Sequence, residues 1–137
     1  MIFVDTGAWI ALSEESDQYH HEAVASYAKL KRRKARFLTT DYVIDEAVTR
    51  LRYDASFSVA VQFLDLIAQS RNDNVLQFVS INEALFQEAV AIFCQYDTVV
   101  LSFTDCASFA VCRHHGVQEA FAFDQHFAMM GMALSTA

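Results

Sequence analysis

The chain places four carboxylates where a strand gives way to a helix or a helix begins: Asp5 in Phe3-Val4-Asp5-Thr6, Glu46 in Tyr42-Val43-Ile44-Asp45-Glu46, Asp105 in Phe103-Thr104-Asp105, and Asp124 in Phe123-Asp124-Gln125-His126-Phe127. If a fold converges them, two carboxylates about 4 Å apart repel by roughly 4 kcal/mol at an effective dielectric near 20, and a divalent cation reverses that cost. Oxygen ligands with neither Cys nor His among them point to magnesium or manganese, whose partners are carboxylate, water and substrate phosphate. Each acid also has an ordinary structural role. Asp5, Thr104 and Asp124 can cap helices, Asp105 can serve the dipole of a first turn, and Glu46 with Arg50 is a helical ion pair worth about 0.2–0.5 kcal/mol.

The elements that must position these acids follow from the apolar pattern. Ile2-Phe3-Val4 reads as a short buried strand, followed by a turn at Thr6-Gly7 and a helix through Trp9 and Leu12. Asp17 is a candidate cap for a helix carrying Val24, Tyr27 and Leu30, and residues 36–40 form a second strand. Val43, Ile44, Ala47, Val48 and Leu51 then recur at helical spacing with Glu46 on the flank. Neighbours on a helix point about 100° apart, so only one of Asp45 and Glu46 faces a shared pocket.

From 56 to 70 an apolar face of Phe57, Ala60, Val61, Leu64, Ile67 and Ala68 is widened by a second row, Val59, Phe63 and Leu66. That outer row is expected to meet a partner or fit a twofold interface. A third strand spans 75–79, and Asn82 caps a helix through Leu85, Ala89, Ile92 and Phe93. Thr104 caps the next helix, which stops at Gly116, and residues 120–123 form a strand ending on Asp124. The tail through Ala133 and Leu134 is a candidate edge strand. Alternating strands and helices argue α/β with a central parallel sheet, whose ligands collect beyond the carboxyl ends of the strands.

Size and charge bound the function. The 137 residues, 54% apolar, make one domain with ample core material, and the formal net charge of -7 argues against a broad basic face for nucleic acid. Six of the ten cations fall in one run, Lys29, Lys31, Arg32, Arg33, Lys34 and Arg36, either a solvated helix end or a phosphate-steering patch. Cys94, Cys106 and Cys112 show no metal spacing and read as buried thiols of a reducing compartment. The paired His20-His21 and His114-His115, and His126, read as structural. With no basic, apolar leader pattern and no long apolar run, a cytoplasmic location away from membranes is expected.

Taken in order, Ile2-Phe3-Val4-Asp5-Thr6, Glu46, Leu101-Ser102-Phe103-Thr104-Asp105-Cys106 and Phe123-Asp124-Gln125-His126-Phe127 resemble the PIN-domain family, specifically its VapC-type toxin ribonucleases. The resemblance covers nearly the whole chain as a single PIN-like domain, 1–137. It implies a central parallel sheet flanked by helices, a divalent metal, magnesium or manganese, and endonucleolytic cleavage of RNA. Asp5, Glu46, Asp105 and Asp124 match the family's acids, and Thr6 and Thr104 its accompanying hydroxyl residues. Metal would be held by Asp5, Asp105 and Asp124, with Glu46 as ligand or water positioner, and a cognate antitoxin would lay an apolar segment in a groove and cover the acids; a homodimer is expected as well. Two features depart from the usual pattern. The stretch before the third acid carries Asp97 rather than a basic residue, which makes Asp97 either a fifth carboxylate at the rim or a solvated one, and the tail is short. Two other readings remain: a noncatalytic interaction module on the same fold, and a haloacid-dehalogenase-like phosphatase with Asp5 as nucleophile, although Gly7 stands where such enzymes carry a second Asp.

Overall fold

Short apolar runs without polar alternation suit strands covered on both faces; Ile2–Val4 and Phe37–Thr40 are buried throughout, and five strands pair in parallel here. The computed structural model describes residues 1–136. The elements in chain order are β1 (Ile2–Val4), α1 (Thr6–Ser13), α2 (His20–Arg32), β2 (Phe37–Thr40), α3 (Asp41–Asp54), α4 (Phe57–Asn72), β3 (Leu76–Val79), α5 (Glu83–Gln95), α6 (Phe103–His115), β4 (Glu119–Phe121), α7 (His126–Met129) and β5 (Ala133–Leu134). The strand order is β3-β2-β1-β4-β5, all pairs parallel, so the tail does form an edge strand.

β1 is central, flanked by β2 and β4, with Ile2 opposite both Phe37 and Glu119. Its backbone pairing continues past the strand, as the Asp5 N–H donates to the Phe121 carbonyl at 3.1 Å. Reversal of strand order falls at β1 and β4, and the crevice beyond their carboxyl ends is where an open parallel sheet collects its ligands. Helix α6 runs through the core: every residue from Cys106 to Cys112 is buried. Its direction is antiparallel to β4, which puts Asp105, in its first turn, at the carboxyl end of the sheet. The Phe3, Phe109 and Phe127 rings lock β1, α6 and α7 together, with centroids 5.7 Å and 5.0 Å from Phe127.

Several local expectations change. The cap of α6 is Ser102, not Thr104: Ser102 Oγ accepts from the Asp105 N–H at 2.9 Å, and an Asp105 carboxylate oxygen accepts from the Ser102 N–H at 3.0 Å. This reciprocal box satisfies two helix-end donors, whereas Thr104 already lies inside the turn. Asp17 stands two residues before Tyr19, the cap residue of α2, and serves the turn instead. Asn82 does cap α5, and Gly116 ends α6 with φ +64°. On α4 the expected inner face splits, part of it staying buried and part of it turning outward. Ala60, Phe63 and Ile67 are buried with Val59 and Leu66 packed beside them, while Phe57, Val61 and Leu64 are exposed, so the outer row is not Val59, Phe63 and Leu66. The reason is the T-shaped contact of Phe63 with Trp9, 5.9 Å between centroids, which anchors that row on α1. Of the three thiols, Cys106 and Cys112 are buried and Cys94 is exposed.

Candidate active site

The first and fourth acids follow the neighbouring strands β1 and β4, the first turn of α6 brings in Asp105, and the second turn of α3 brings in Glu46. Asp5, Thr6, Glu46, Asp105 and Asp124 line one cavity of about 390 Å³, together with Ile10, Asp17, Gln18, Tyr19, Arg50 and Phe123. Asp45 is exposed and lines only an adjoining groove with Thr49, Phe103 and Thr104, so helical geometry has turned Glu46, half-buried, toward the acids. Thr104 therefore stands beside the acid cavity rather than in it. Its groove of about 520 Å³ joins the cavity through the shared residues Glu46 and Arg50.

Asp5 occupies the floor at 5% exposure, and its side chain does not cap α1. Burial first, then the charges of Asp124 and Asp105, push its carboxyl from 3.8 up to about 8, with Glu46 adding to the rise against an opposing contact from the Thr6 N–H. Asp105 is raised as well, by burial and then by Asp124, although the Ser102 N–H and His126 oppose the shift. Thr6 Oγ is buried and has no hydrogen-bond partner among the described residues. A cavity lined by four carboxylates, with Asp5 held neutral and in no ion pair among the described residues and the Thr6 hydroxyl left open, fits a hard divalent cation: its charge would restore ionisation and give the hydroxyl a hydrated neighbour to bond.

His126 enters this site although the sequence reading treated it as structural. Its Nδ1 lies 3.4 Å from an Asp105 oxygen and 3.7 Å from an Asp124 oxygen, and single ligand atoms of the three residues fall within 4.8 Å of one another. The Asp124 carboxylate also accepts from the His126 N–H at 2.9 Å, which folds the turn that delivers the ring. The spacing Asp-x-His was the available signal. A helix would have separated the pair, but an Asx turn brings them together. Asp17, the fifth carboxylate on the cavity, was missed in the same way, while Asp97 lines a separate surface depression with Phe93 and Tyr96.

The cations sort by end of the sheet. Arg33 pairs with Glu119 at the start of β4, 3.2 Å apart, so the basic run lies at the amino ends of the strands, opposite the acids. Arg113 follows α6 away from Asp105 to the same end. Arg50 is the cation that lines the acid cavity, and no ion pair joins it to Glu46 among the described residues.

Comparison with known proteins agrees with this architecture. The PIN domain family model matches residues 2–131. VapC20 of Mycobacterium tuberculosis, described as a 23S rRNA-specific endonuclease, is 32% identical over 131 residues, covering 96% of this chain and 95% of the relative, in both strain CDC 1551 / Oshkosh and strain ATCC 25618 / H37Rv. The crystal structure of VapC20, described as a sarcin-ricin loop cleaving toxin, superposes with a TM-score of 0.84 at 30% identity, covering 97% of each chain. The chain belongs to the PIN-domain family.

Proposed function

We propose that this PIN-domain protein is a VapC-type toxin that cleaves RNA endonucleolytically in the cytoplasm, with magnesium or manganese, and that ribosomal RNA is its target. The observation that carries the reading is Asp5, buried at the floor of a cavity shared with Glu46, Asp105 and Asp124, its carboxyl pushed up by that burial and then by their charges. A structural acid in that position would have a fixed cationic partner, and among the described residues no ion pair joins Asp5 to any cation.

Asp5, Asp105 and Asp124 would hold the metal, with Glu46 as ligand or water positioner, and the cation would supply charge to offset the phosphate and acidify water. The chain's own groups set the rest. The capping box fixes Asp105 at one oxygen and leaves the other for the site. His126 orients Asp105 and Asp124 from the outer side. Thr6 donates from the floor, Thr104 contacts substrate in the adjoining groove, and Arg50 provides the positive guide for a phosphate entering over Glu46.

Partners follow from the exposed apolar row. Phe57, Val61 and Leu64 of α4 with Tyr53 of α3 line a groove of about 520 Å³, which meets the Thr104 groove at Thr49. An antitoxin segment lying there reaches the acids without leaving the surface, and a second copy of the chain uses two further exposed aromatics, Phe86 and Phe93 of α5. Leu64→Asp should weaken antitoxin capture while leaving cleavage intact; unchanged capture would move the partner elsewhere.

The deciding experiment incubates purified protein with ribosomes and with bulk RNA in magnesium or manganese, beside Asp5→Asn and a chelator. Discrete cleavage lost in both controls supports the reading, and cleavage indifferent to Asp5 sinks it.

A further inference from the structure

One rim of the acid cavity is aromatic. Tyr19 and Phe123 both line it, with ring centroids 4.6 Å apart and planes within 7° of parallel. Phe123 is half-buried and rests edge-on against the fully buried Phe121, 6.1 Å between centroids, so the stack grows out of the core. Tyr19 is its outermost member at 39% exposure. One face of its ring is covered by Phe123.

Tyr19 is also held in place by more than stacking. Its N–H donates to the Asp17 carboxylate at 2.9 Å, the His20 N–H donates to the Asp17 carbonyl at 3.0 Å, and its own carbonyl accepts from the Ala23 N–H at 2.8 Å. The next residue, His20, reaches back through Nδ1 to the Ala11 carbonyl at 2.7 Å and ties the turn to α1. A partly exposed ring on a backbone fixed this firmly, lining the same cavity as Asp124, is a preorganised flat surface rather than a loose side chain.

We propose that Tyr19, backed by Phe123, is the platform on which the base of a nucleotide next to the scissile phosphate stacks. This rests on the ribonuclease reading above and goes beyond it by placing a base subsite. Proteins that recognise RNA in loops splay bases out of the helix and stack them on aromatic faces, and such a contact tolerates any base identity. Phe123 precedes Asp124 in the chain, so a single peptide bond joins the platform to one acid of the site.

The test maps the cleavage site on ribosomal RNA, then uses a synthetic hairpin around that site, intact or abasic at either nucleotide flanking the cut. Wild-type protein should lose about tenfold in kcat/KM on one of the two abasic hairpins, mainly through KM. Tyr19→Ala should lose about the same on intact RNA and nothing further on the abasic one, while Tyr19→Phe stays near wild type. Tyr19→Leu, which keeps bulk without a π face, should behave as Tyr19→Ala while a melting curve checks its fold. Additive losses, or intact-RNA cleavage by Tyr19→Ala equal to wild type, overturn the platform and leave the nuclease standing. A wild-type protein that cuts no ribosomal RNA overturns both.

Discussion

The two ends of the parallel sheet treat charge in opposite ways. At the amino ends Glu119 accepts from Arg33 at 3.2 Å and 3.3 Å and from the Ser135 hydroxyl at 2.7 Å, and the guanidinium, with help from that hydroxyl, holds its carboxyl below the usual range. At the carboxyl ends Asp5 sits among Asp124, Asp105 and Glu46, and its carboxyl is pushed up to about 8. Residues of the same chemistry are thus settled at one end and frustrated at the other. The settled pair holds the start of β4 beside the end of α2. The frustrated cluster is stable only because the surrounding core imposes it, and its electrostatic deficit is what a cation can use.

Breaking the frustrated end should have the largest effect. Asp5→Asn is expected to lower cleavage by a hundredfold or more, about 2.7 kcal/mol or greater in transition-state stabilisation, measured as kcat/KM on ribosomal RNA. The same substitution should raise the melting temperature of metal-free protein at pH 8, because it removes a buried charge. Loss of both activity and stability would mean that Asp5 is chiefly structural.

Next in size is the pH dependence of the metal-free protein. Asp5 titrates at about 8 in the folded state against 3.8 without the fold, so between those values the native state keeps a proton that the unfolded chain has released. Stability should therefore fall as pH rises from about 4 to about 8, by on the order of a few kcal/mol, and level off above. Urea titrations across that range check it, and Asp5→Asn should flatten the slope. Magnesium or manganese at a hundredfold excess over its dissociation constant should restore about 2.7 kcal/mol at pH 8 in wild type. A melting temperature indifferent to both ions would contradict the cation site.

A smaller effect is expected from His126→Ala, which leaves the four acids in place but frees the orientation of Asp105 and Asp124. Metal affinity should weaken about tenfold, read by calorimetry, with His126→Gln partly restoring it. Smallest of all, Arg33→Ala or Glu119→Gln should leave cleavage unchanged and shift the melting temperature less than any change above, since Arg33 is well exposed. A loss of cleavage there would return the basic run to the substrate path.

The sequence by itself determined the strand and helix order, because short apolar runs and 3.6-residue spacing survive any arrangement in space. It also determined which four acids stand at element junctions, since Asp5 and Asp124 follow strands and Glu46 flanks an apolar stripe. Only the tertiary structure decided which faces and partners those elements use. The stripe on α4 was wide enough for two orientations, and contact between Phe63 and Trp9 chose one. Cap choice between Ser102 and Thr104 turned on where the helix axis began, which spacing leaves open by two residues. The nearness of His126 to Asp105, the sharing of one cavity by Asp17, Tyr19 and Asp124, and the separation of the Arg33 run from all of them depend on strand order in the sheet. Residues far apart in the chain meet or miss each other there through long-range packing, which leaves no periodic trace in the sequence.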